Sequence, residues 1–442
     1  MKMLHRILAA VLLTVVYSST MAQSADRRAG AAMNASDWFR LRKIYQTESH
    51  LMSPFLRDMA KALLDDAFNR SEEAAISIRK LLKEHRSKIG LSNIESMVYL
   101  LAANESKAGH NKKAADILRD FLQQAQNKLD STYARMFASH ERQFREMAKY
   151  AVNKVEGDLK ACDIPFRIDS IGPEKKRSIQ MTIPAEVNGI GCDINFDTGA
   201  GVNIISPELA RKCGMRMIDA RSWVAGVNMV MGGVALADRV KLGNLVLRNV
   251  PFNVIKITSG NAVADQYLRH MDCVMGIPLM RVLRKVQIDF AGNRLLVSRE
   301  VPAKSEPNLC MNSSNGLMQL QMEHDGDTLI VNPDTGAGHL ATLYYRYFKR
   351  NAAAVTYKGA RTVNSSAGVG GISVTKGYLL KDFSLGIGGI SYLLPDVFIS
   401  MEAESDRNIP ASFDGNVGLE YFQKFKFVTF DLDHMAVSLT PY

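Results

Sequence analysis

The stretch INFDTGAGVNIIS (194–206) recurs in altered form as LIVNPDTGAGHLATL (329–343), and this repeat decides the fold. Both copies contain Asp-Thr-Gly-Ala, and their aspartates, Asp197 and Asp334, are 137 residues apart. A single tetrapeptide is a weak signal, because motifs of this length also occur by chance. Two copies in matching surroundings indicate two equivalent halves.

The surroundings of the two motifs match in order and in spacing. A hairpin-like pair of short strands precedes each motif, and each half ends with two further strand-like runs. Two glycine features follow each motif at similar distances: the pairs Gly232-Gly233 and Gly370-Gly371, and the single glycines Gly276 and Gly418.

The region that contains the repeat has the pattern of a β protein. Period-2 alternation, Val, Ile and frequent Gly dominate from about residue 165, which predicts strands with a few short helices. Residues 301–315 are rich in Pro, Ser and Asn, a composition typical of linkers. The sequence therefore predicts one lobe over 165–300, a linker over 301–315 and a second lobe over 316–442.

This arrangement resembles the aspartic peptidases. The motifs and their glycine-rich segments are similar to a retropepsin lobe, and two lobes in one chain are similar to the bilobal pepsin arrangement. The resemblance implies that Asp197 and Asp334 form a catalytic pair at the bottom of a cleft. It also implies that Thr198 and Thr335 brace the two loops against each other.

Metal-free peptide hydrolysis needs a base to activate water and an acid for the carbonyl oxygen. Two adjacent carboxyl groups cannot both ionise readily, so they share one proton and supply both roles at the same pH. Small residues around the aspartates let the loops turn sharply and leave room for substrate. The supporting candidates are Gly199, Ala200, Gly336 and Ala337 in the loops, with Gly276 and Gly418 beneath them. The flap candidates are Met231, Gly232, Gly233, Val369, Gly370 and Gly371, within segments 226–234 and 367–373.

Residues 36–158 have a different pattern, which predicts a helical domain. Apolar residues recur at intervals of three and four, and Pro is nearly absent. Segments 59–85 and 99–124 resemble each other at an offset of 40 residues, which is similar to a tetratricopeptide-like array of helical hairpins. A plain helical bundle explains the pattern equally well.

The chain begins with MKMLHR, an apolar run from Ile7 to Tyr17, and small residues up to Ala22. This pattern predicts a signal peptide over 1–22 and export to the periplasm or beyond the cell. An uncleaved N-terminal membrane anchor is the alternative. After cleavage, no stable membrane span is expected.

The 442 residues are 47% hydrophobic and 23% charged, which excludes a mainly disordered or collagen-like chain. The net charge of +10 is mixed with acidic residues and predicts no nucleic-acid partner. The sequence thus predicts an exported aspartic endopeptidase that acts on polypeptides without metal or organic cofactor. Both half-sites lie in one chain, so dimerisation is not required, and the helical domain is a possible protein-binding region. The alternatives are a catalytically silent peptide-binding module and a helical interaction scaffold.

Overall fold

The computed structural model describes residues 20–125, 129–172, 178–268, 271–297, 306–312, 315–403 and 412–442. These residues form two compact units. The first comprises the described part of Met1–Ala151 with Cys310–Gly316, and the second comprises Val152–Leu309 and Leu317–Tyr442. The predicted signal peptide, 1–22, lies outside the described residues except for its last three. Export therefore stays a prediction.

The first unit is helical, as the sequence predicts. One helix precedes the predicted start at residue 36, because ADRRAGAAMN (25–34) is rich in strong helix formers and buries Ala25, Ala29 and Ala32 at helical spacing. The helices of this unit are α1 (Thr20–Asn34), α2 (Trp38–Glu48), α3 (Pro54–Ala67), α4 (Ser71–Glu84), α5 (Leu91–Lys107), α6 (Asn111–Gln124) and α7 (Ser131–Met147). Single 3-10 turns cover Ser49–Leu51 and Arg86–Lys88.

The helical hairpins α3–α4 and α5–α6 have matching turns. The Arg70 backbone N–H donates to the Asp65 carbonyl, and its guanidinium contacts the Asp65 carboxylate at 2.7 Å. Forty residues later, the His110 backbone N–H donates to the Glu105 carbonyl, and its ring contacts the Glu105 carboxylate at 2.9 Å. The repeat seen in the sequence thus corresponds to a repeated hairpin. Its likeness to tetratricopeptide repeats stays a prediction.

The second unit is β-rich and contains both Asp-Thr-Gly-Ala motifs. The strands up to residue 297 are β1 (Lys154–Glu156), β2 (Asp163–Pro165), β3 (Arg167–Ile171), β4 (Ser178–Val187), β5 (Ile190–Phe196), β6 (Ile204–Ile205), β7 (Arg216–Ala225), β8 (Met229–Leu242), β9 (Leu245–Val254), β10 (Cys273–Met275), β11 (Lys285–Asp289) and β12 (Arg294–Val297). Short helices α8 (Pro207–Lys212), α9 (Asp265–Leu268) and α10 (Ile277–Leu283) and a 3-10 turn (Leu159–Ala161) lie among them.

The remaining strands begin at residue 309, and those from β14 onward form the second half of this unit. They are β13 (Leu309–Met311), β14 (Met318–His324), β15 (Asp327–Asp334), β16 (Ala341–Leu343), β17 (Ala360–Gly368), β18 (Gly371–Ile387), β19 (Ile390–Ser400), β20 (Gly415–Gly418), β21 (Phe427–Asp431) and β22 (Ala436–Thr440). Helix α11 (Tyr345–Lys358) follows β16, and helix α12 (Leu419–Phe422) follows β20. Part of the predicted linker, 301–315, lies outside the described residues. Its described part contains β13, whose three side chains are buried.

The two halves share one topology, and we call them lobe 1 and lobe 2. In lobe 1 the sheet order is β1-β9-β6-β10-β5-β4-β8-β7, and in lobe 2 it includes β14-β15-β20-β16-β19-β18-β17. The strand that leads to each motif pairs in parallel with a later strand: β5 with β10, and β15 with β20. That later strand pairs antiparallel with β6 or β16. The predicted fold class, a helical region followed by a bilobal β region, is confirmed.

A third sheet joins the lobes through their final hairpins, in the order β2-β12-β11-β21-β22. Strand β11 of lobe 1 and β21 of lobe 2 are antiparallel neighbours. Their inward side chains, among them Val286, Ile288, Val428 and Phe430, are fully buried. Burial of each such side chain is worth about 1.5–3 kcal/mol, so this sheet fixes the two lobes relative to each other.

Candidate active site

The two Asp-Thr-Gly-Ala motifs are turns at the ends of equivalent strands. Strand β5 ends immediately before Asp197, and β15 ends at Asp334. The turns close through backbone hydrogen bonds from Ala200 to the Asp197 carbonyl at 3.1 Å and from Ala337 to the Asp334 carbonyl at 3.2 Å. Both aspartates therefore stand at the same edge of their sheets.

Thr198 and Thr335 brace the two loops through four hydrogen bonds related by a pseudo-twofold axis. Each hydroxyl accepts the backbone N–H of the other threonine at 3.0 Å. Each hydroxyl also donates to the carbonyl before the opposite aspartate, Pro333 or Phe196, at 2.9 Å. Both threonines are fully buried, so these bonds meet no competition from water. Pro333 takes part in the brace through its carbonyl, which accepts from the Thr198 hydroxyl.

The loop glycines bring the two carboxyl groups together. The Gly199 N–H donates to Asp197 Oδ1 at 2.8 Å, and the Gly336 N–H donates to Asp334 Oδ1 at 3.0 Å. A Cβ on Gly199 would lie 2.6 Å from Asp334 Cγ, and one on Gly336 would lie 2.3 Å from Asp197 Cγ. Each glycine thus faces the carboxyl of the opposite lobe, and no side chain fits between the two aspartates.

The electrostatics of this pair favour a shared proton. Burial and the adjacent Asp334 charge raise the pKa of Asp197 well above its usual value, although the Gly199 and Gly336 N–H groups oppose the shift. Two carboxyl groups in hydrogen-bond contact, one of them with a raised pKa, favour the state in which the pair holds one proton.

Gly276 and Gly418 lie beneath the aspartate loops at equivalent positions. A Cβ on Gly276 would lie 2.1 Å from the Asp197 carbonyl oxygen, and one on Gly418 would lie 2.1 Å from the His339 carbonyl oxygen. The following helices, α10 and α12, begin with backbone hydrogen bonds to the Ala200 and Ala337 carbonyls. Ala200 and Ala337 thus connect each loop to the segment below it.

The predicted flaps are hairpins whose tips touch each other, but the first tip needs correction. Gly232 and Gly233 lie within β8, where they pair with β7, and the turn is Gly226–Asn228. Gly232 is required because a Cβ there would lie 2.2 Å from Ile255 Cγ2, so the glycine serves packing and not a turn. Met231, on the same strand, is exposed.

The second tip lies where the sequence predicts it, at Val369 and Gly370, and Gly371 begins β18. The Val227 N–H donates to the Val369 carbonyl at 2.9 Å, and Asn228 Nδ2 donates to the Gly370 carbonyl at 2.7 Å. The two hairpins are therefore joined at their tips.

Sequence reasoning missed two polar residues near Asp334, Asn416 and His339. Asn416 Nδ2 lies 3.4 Å from Asp334 Oδ2, and its Oδ1 lies 3.0 Å from His339 Nε2. A residue-by-residue comparison of the halves would have found them, because lobe 1 has Val274 and Val202 at these positions.

Comparisons with known proteins agree with this geometry. The family model described as "Aspartyl protease" matches residues 183–278, within lobe 1. "DNA damage-inducible protein 1" from two strains of Cryptococcus neoformans var. neoformans serotype D is 33% identical over 147 residues, 31% of this chain and 30% of that protein. The chain thus spans under a third of the length of these relatives. The resemblance to aspartic peptidases is confirmed.

Solved structures show more distant similarity. The retropepsin-like aspartic protease from Rickettsia conorii is 18% identical, with a TM-score of 0.19, over 32% of this chain and 91% of that one. Conglutin gamma, a basic 7S globulin from lupine seeds, is 9% identical, with a TM-score of 0.40, over 63% of this chain and 95% of that one. Among the described residues, no helix has both the length and the hydrophobicity needed to cross a bilayer.

Proposed function

We propose that the chain is an exported aspartic endopeptidase whose catalytic pair is Asp197 and Asp334. The observation that carries the proposal is the symmetric contact of the two carboxyl groups, each facing the glycine of the opposite loop. The substrate is a polypeptide bound in extended form between the pair and the joined hairpin tips. Export is proposed from the N-terminal sequence alone, and the helical unit is proposed to bind a protein partner.

The reaction uses water and the single shared proton. The ionised carboxylate takes one proton from a water molecule, whose oxygen forms a bond to the peptide carbonyl carbon. The protonated carboxyl gives its proton to the carbonyl oxygen, which yields a tetrahedral diol. The diol then returns a proton to the carboxylate, the amide nitrogen receives one, and the C–N bond breaks to give an acid and an amine. The pair ends with one proton, as it began.

The site supports this chemistry in two further ways. The threonine braces hold both loops rigid, so the carboxyl groups need no rearrangement before reaction. Backbone N–H groups of Gly199 and Gly336 stabilise the ionised form, while burial and mutual repulsion oppose double ionisation.

The test is cleavage of a diverse peptide pool by the purified protein, from acidic to neutral pH, alongside Asp197→Asn and Asp334→Asn. Each substitution removes one member of the acid–base pair, so we expect kcat/KM to fall by about 10³-fold or more. Asp193→Asn is the matched control, because Asp193 is an exposed aspartate of the same β5 strand and pairs with Arg167. We expect this control to cleave at the wild-type rate.

Inhibition by a statine-type compound would support the same pair, since such compounds bind both carboxyl groups. Cleavage that survives both Asp→Asn substitutions would refute the proposal. A folded wild type that binds peptides but cleaves none would replace it with the peptide-binding alternative.

A further inference from the structure

Beneath the catalytic pair, the two lobes share a backbone but differ in chemistry. Asn416 lies two residues before Gly418, and the equivalent position before Gly276 is Val274. Both positions lie on the strand that pairs in parallel with the aspartate strand, and both side chains are nearly buried. The polar residue is therefore a specific feature of lobe 2.

The side-chain amide of Asn416 lies between Asp334 and His339. Its Nδ2 donates to Asp334 Oδ2 over 3.4 Å, and its Oδ1 accepts from His339 Nε2 at 3.0 Å. The Thr342 hydroxyl lies 3.4 Å from the same ring nitrogen. An amide whose oxygen faces His339 Nε2 requires a proton on that nitrogen, so the histidine fixes which end of the amide faces Asp334.

Lobe 1 has no equivalent of this series of side-chain hydrogen bonds. Val202, Ile204 and Val274 stand where lobe 2 has His339, Thr342 and Asn416, since Ile204 pairs with Val274 as Thr342 pairs with Asn416. These three apolar side chains belong to or surround a hydrophobic cluster of lobe 1, and none can donate a hydrogen bond to Asp197.

The two aspartates therefore receive different hydrogen bonds. Asp334 Oδ1 accepts the Gly336 and Ala337 N–H groups at 3.0 and 3.1 Å, and Asn416 reaches its Oδ2. Apart from its contact with the Asp334 carboxyl, Asp197 accepts backbone N–H groups in the described structure, from Gly199 at 2.8 Å and from the facing Gly336. Each donor aimed at a carboxylate favours its ionised form.

We propose that Asn416, held by His339, is a positioning residue that keeps Asp334 as the ionised base and leaves the shared proton on Asp197. This inference rests on the proposed function, because it assigns the two roles within the same pair. In the described structure, the titratable groups that face Asp334 are Asp197 from the opposite loop and His339 through Asn416.

The assignment gives each step a direction. Asp334 takes the proton from water, and Asp197 delivers its proton to the carbonyl oxygen of the peptide. Asn416 contacts neither substrate nor water in this scheme, and acts by orienting Asp334 and stabilising its charge.

The test compares Asn416→Val, which installs the lobe 1 residue, with the wild type across a full pH profile. Loss of a donor raises the proton affinity of the base, so we expect the acidic limb of kcat/KM to move up by about 0.5–1 pH unit. We expect kcat to fall about 10-fold while KM changes less than about twofold, because substrate binding does not use this amide.

Two variants test the role of the histidine. His339→Val should reproduce part of the Asn416→Val shift, because the amide then loses its orienting donor. His339→Gln keeps an N–H donor and should restore most of the wild-type profile. Asn253→Val is the matched control: Asn253 is a similarly buried strand asparagine of lobe 1, bonded to the Asn203 carbonyl. It should change stability without moving the pH profile.

A second readout does not depend on activity. Carboxyl carbon-13 resonances of labelled aspartates, assigned with Asp197→Asn and Asp334→Asn, report the titration of each group. We expect Asn416→Val, with both aspartates present, to move the lower titration midpoint of the pair up by about 0.5–1 pH unit. An unchanged titration, or wild-type cleavage with an unmoved acidic limb, would overturn the inference. A folded wild type with no cleavage would instead refute the proposed function, and the carbon-13 titration would still decide the role of Asn416.

Discussion

Lobes 1 and 2 are alike where backbone geometry is needed and unlike where chemistry is tuned. Each contributes an aspartate, a buried threonine, a facing glycine and a supporting glycine, with near-identical distances. They differ in the side chains beneath the aspartates and in the hydrogen-bonding groups at their hairpin tips. The comparison indicates that the symmetric features bring the two aspartates together, whereas the residues that differ between the lobes distinguish the acid from the base.

The supporting glycines test the symmetric part of the comparison and should give the largest effect. Gly276→Ala and Gly418→Ala each place a Cβ about 2.1 Å from a backbone carbonyl oxygen, which cannot move without opening the aspartate loop. We expect either variant to lose all cleavage and to unfold at least about 10 °C below the wild type in thermal denaturation.

Gly191→Ala is the matched control for these glycines, because a Cβ there meets nothing within 4 Å and its φ is ordinary. It should be neutral or slightly stabilising. If one of the two buried glycines tolerated alanine and the other did not, the lobes would not be equivalent at this position.

The threonine braces should give the next largest effect. Thr198→Val leaves the buried Thr335 N–H without its acceptor, and Thr335→Val does the same to Thr198. An unsatisfied buried donor costs about 1–3 kcal/mol, so each variant should lose about that much unfolding free energy in urea. Threonine to serine keeps the hydroxyl and should lose less. Unequal losses for the two valine variants would show that one loop depends more on the brace.

The final hairpins of the two lobes contain matching aspartates, Asp289 and Asp431. Both accept turn N–H groups of their own hairpin. Asp431 is also contacted by the His434 ring at 2.9 Å and by Lys285 Nζ at 3.6 Å. Burial opposes its ionisation, but the hydrogen bonds from His434 and the charges of His434 and Lys285 lower its pKa.

A carboxyl whose pKa is lower in the folded protein than in the unfolded chain stabilises the fold at pH values above the unfolded pKa. This stabilisation is lost as the pH falls through the folded pKa. Asp431→Asn should therefore cost about 1–2 kcal/mol at neutral pH, with the difference shrinking below pH 3.8. Asp289→Asn should cost less, because Asp289 is only half-buried. Urea unfolding at several pH values measures both, and a pH-independent cost for Asp431→Asn would contradict the ionic explanation.

The aspartate pair and its supports could be predicted because a short local motif specifies each of them and because that motif occurs twice. A strand followed by Asp-Thr-Gly-Ala specifies the turn, and the second copy shows which features the first one needs. The sequence also placed the second hairpin tip, at Val369 and Gly370, because the turn follows directly from a glycine with positive φ.

The misses arise from contacts between distant parts of the chain. Gly232 was a flap candidate, but the contact that excludes a side chain there is with Ile255, which follows β9. Asn416 meets Asp334 and His339, which lie 82 and 77 residues earlier, so no local pattern connects them. The true first tip carries Gly226 and Asn228, both common turn formers, and this signal was available.

The hairpin tips break the symmetry most visibly, and they should give the smallest effect. The lobe 1 tip supplies donors, the Val227 N–H and Asn228 Nδ2, to the Val369 and Gly370 carbonyls of lobe 2, whereas the Gly370 N–H donates to the Thr258 carbonyl outside that tip. Asn228→Ala removes one exposed hydrogen bond, worth about 0.5–1.5 kcal/mol, so hydrogen exchange of the Val227 amide should accelerate about 2- to 10-fold. Asn364→Ala, on the lobe 2 hairpin away from its tip, should leave that exchange unchanged. Unaltered exchange in Asn228→Ala would mean that the backbone bond alone joins the tips, and the asymmetry of the lobes would then reduce to the residues beneath Asp334.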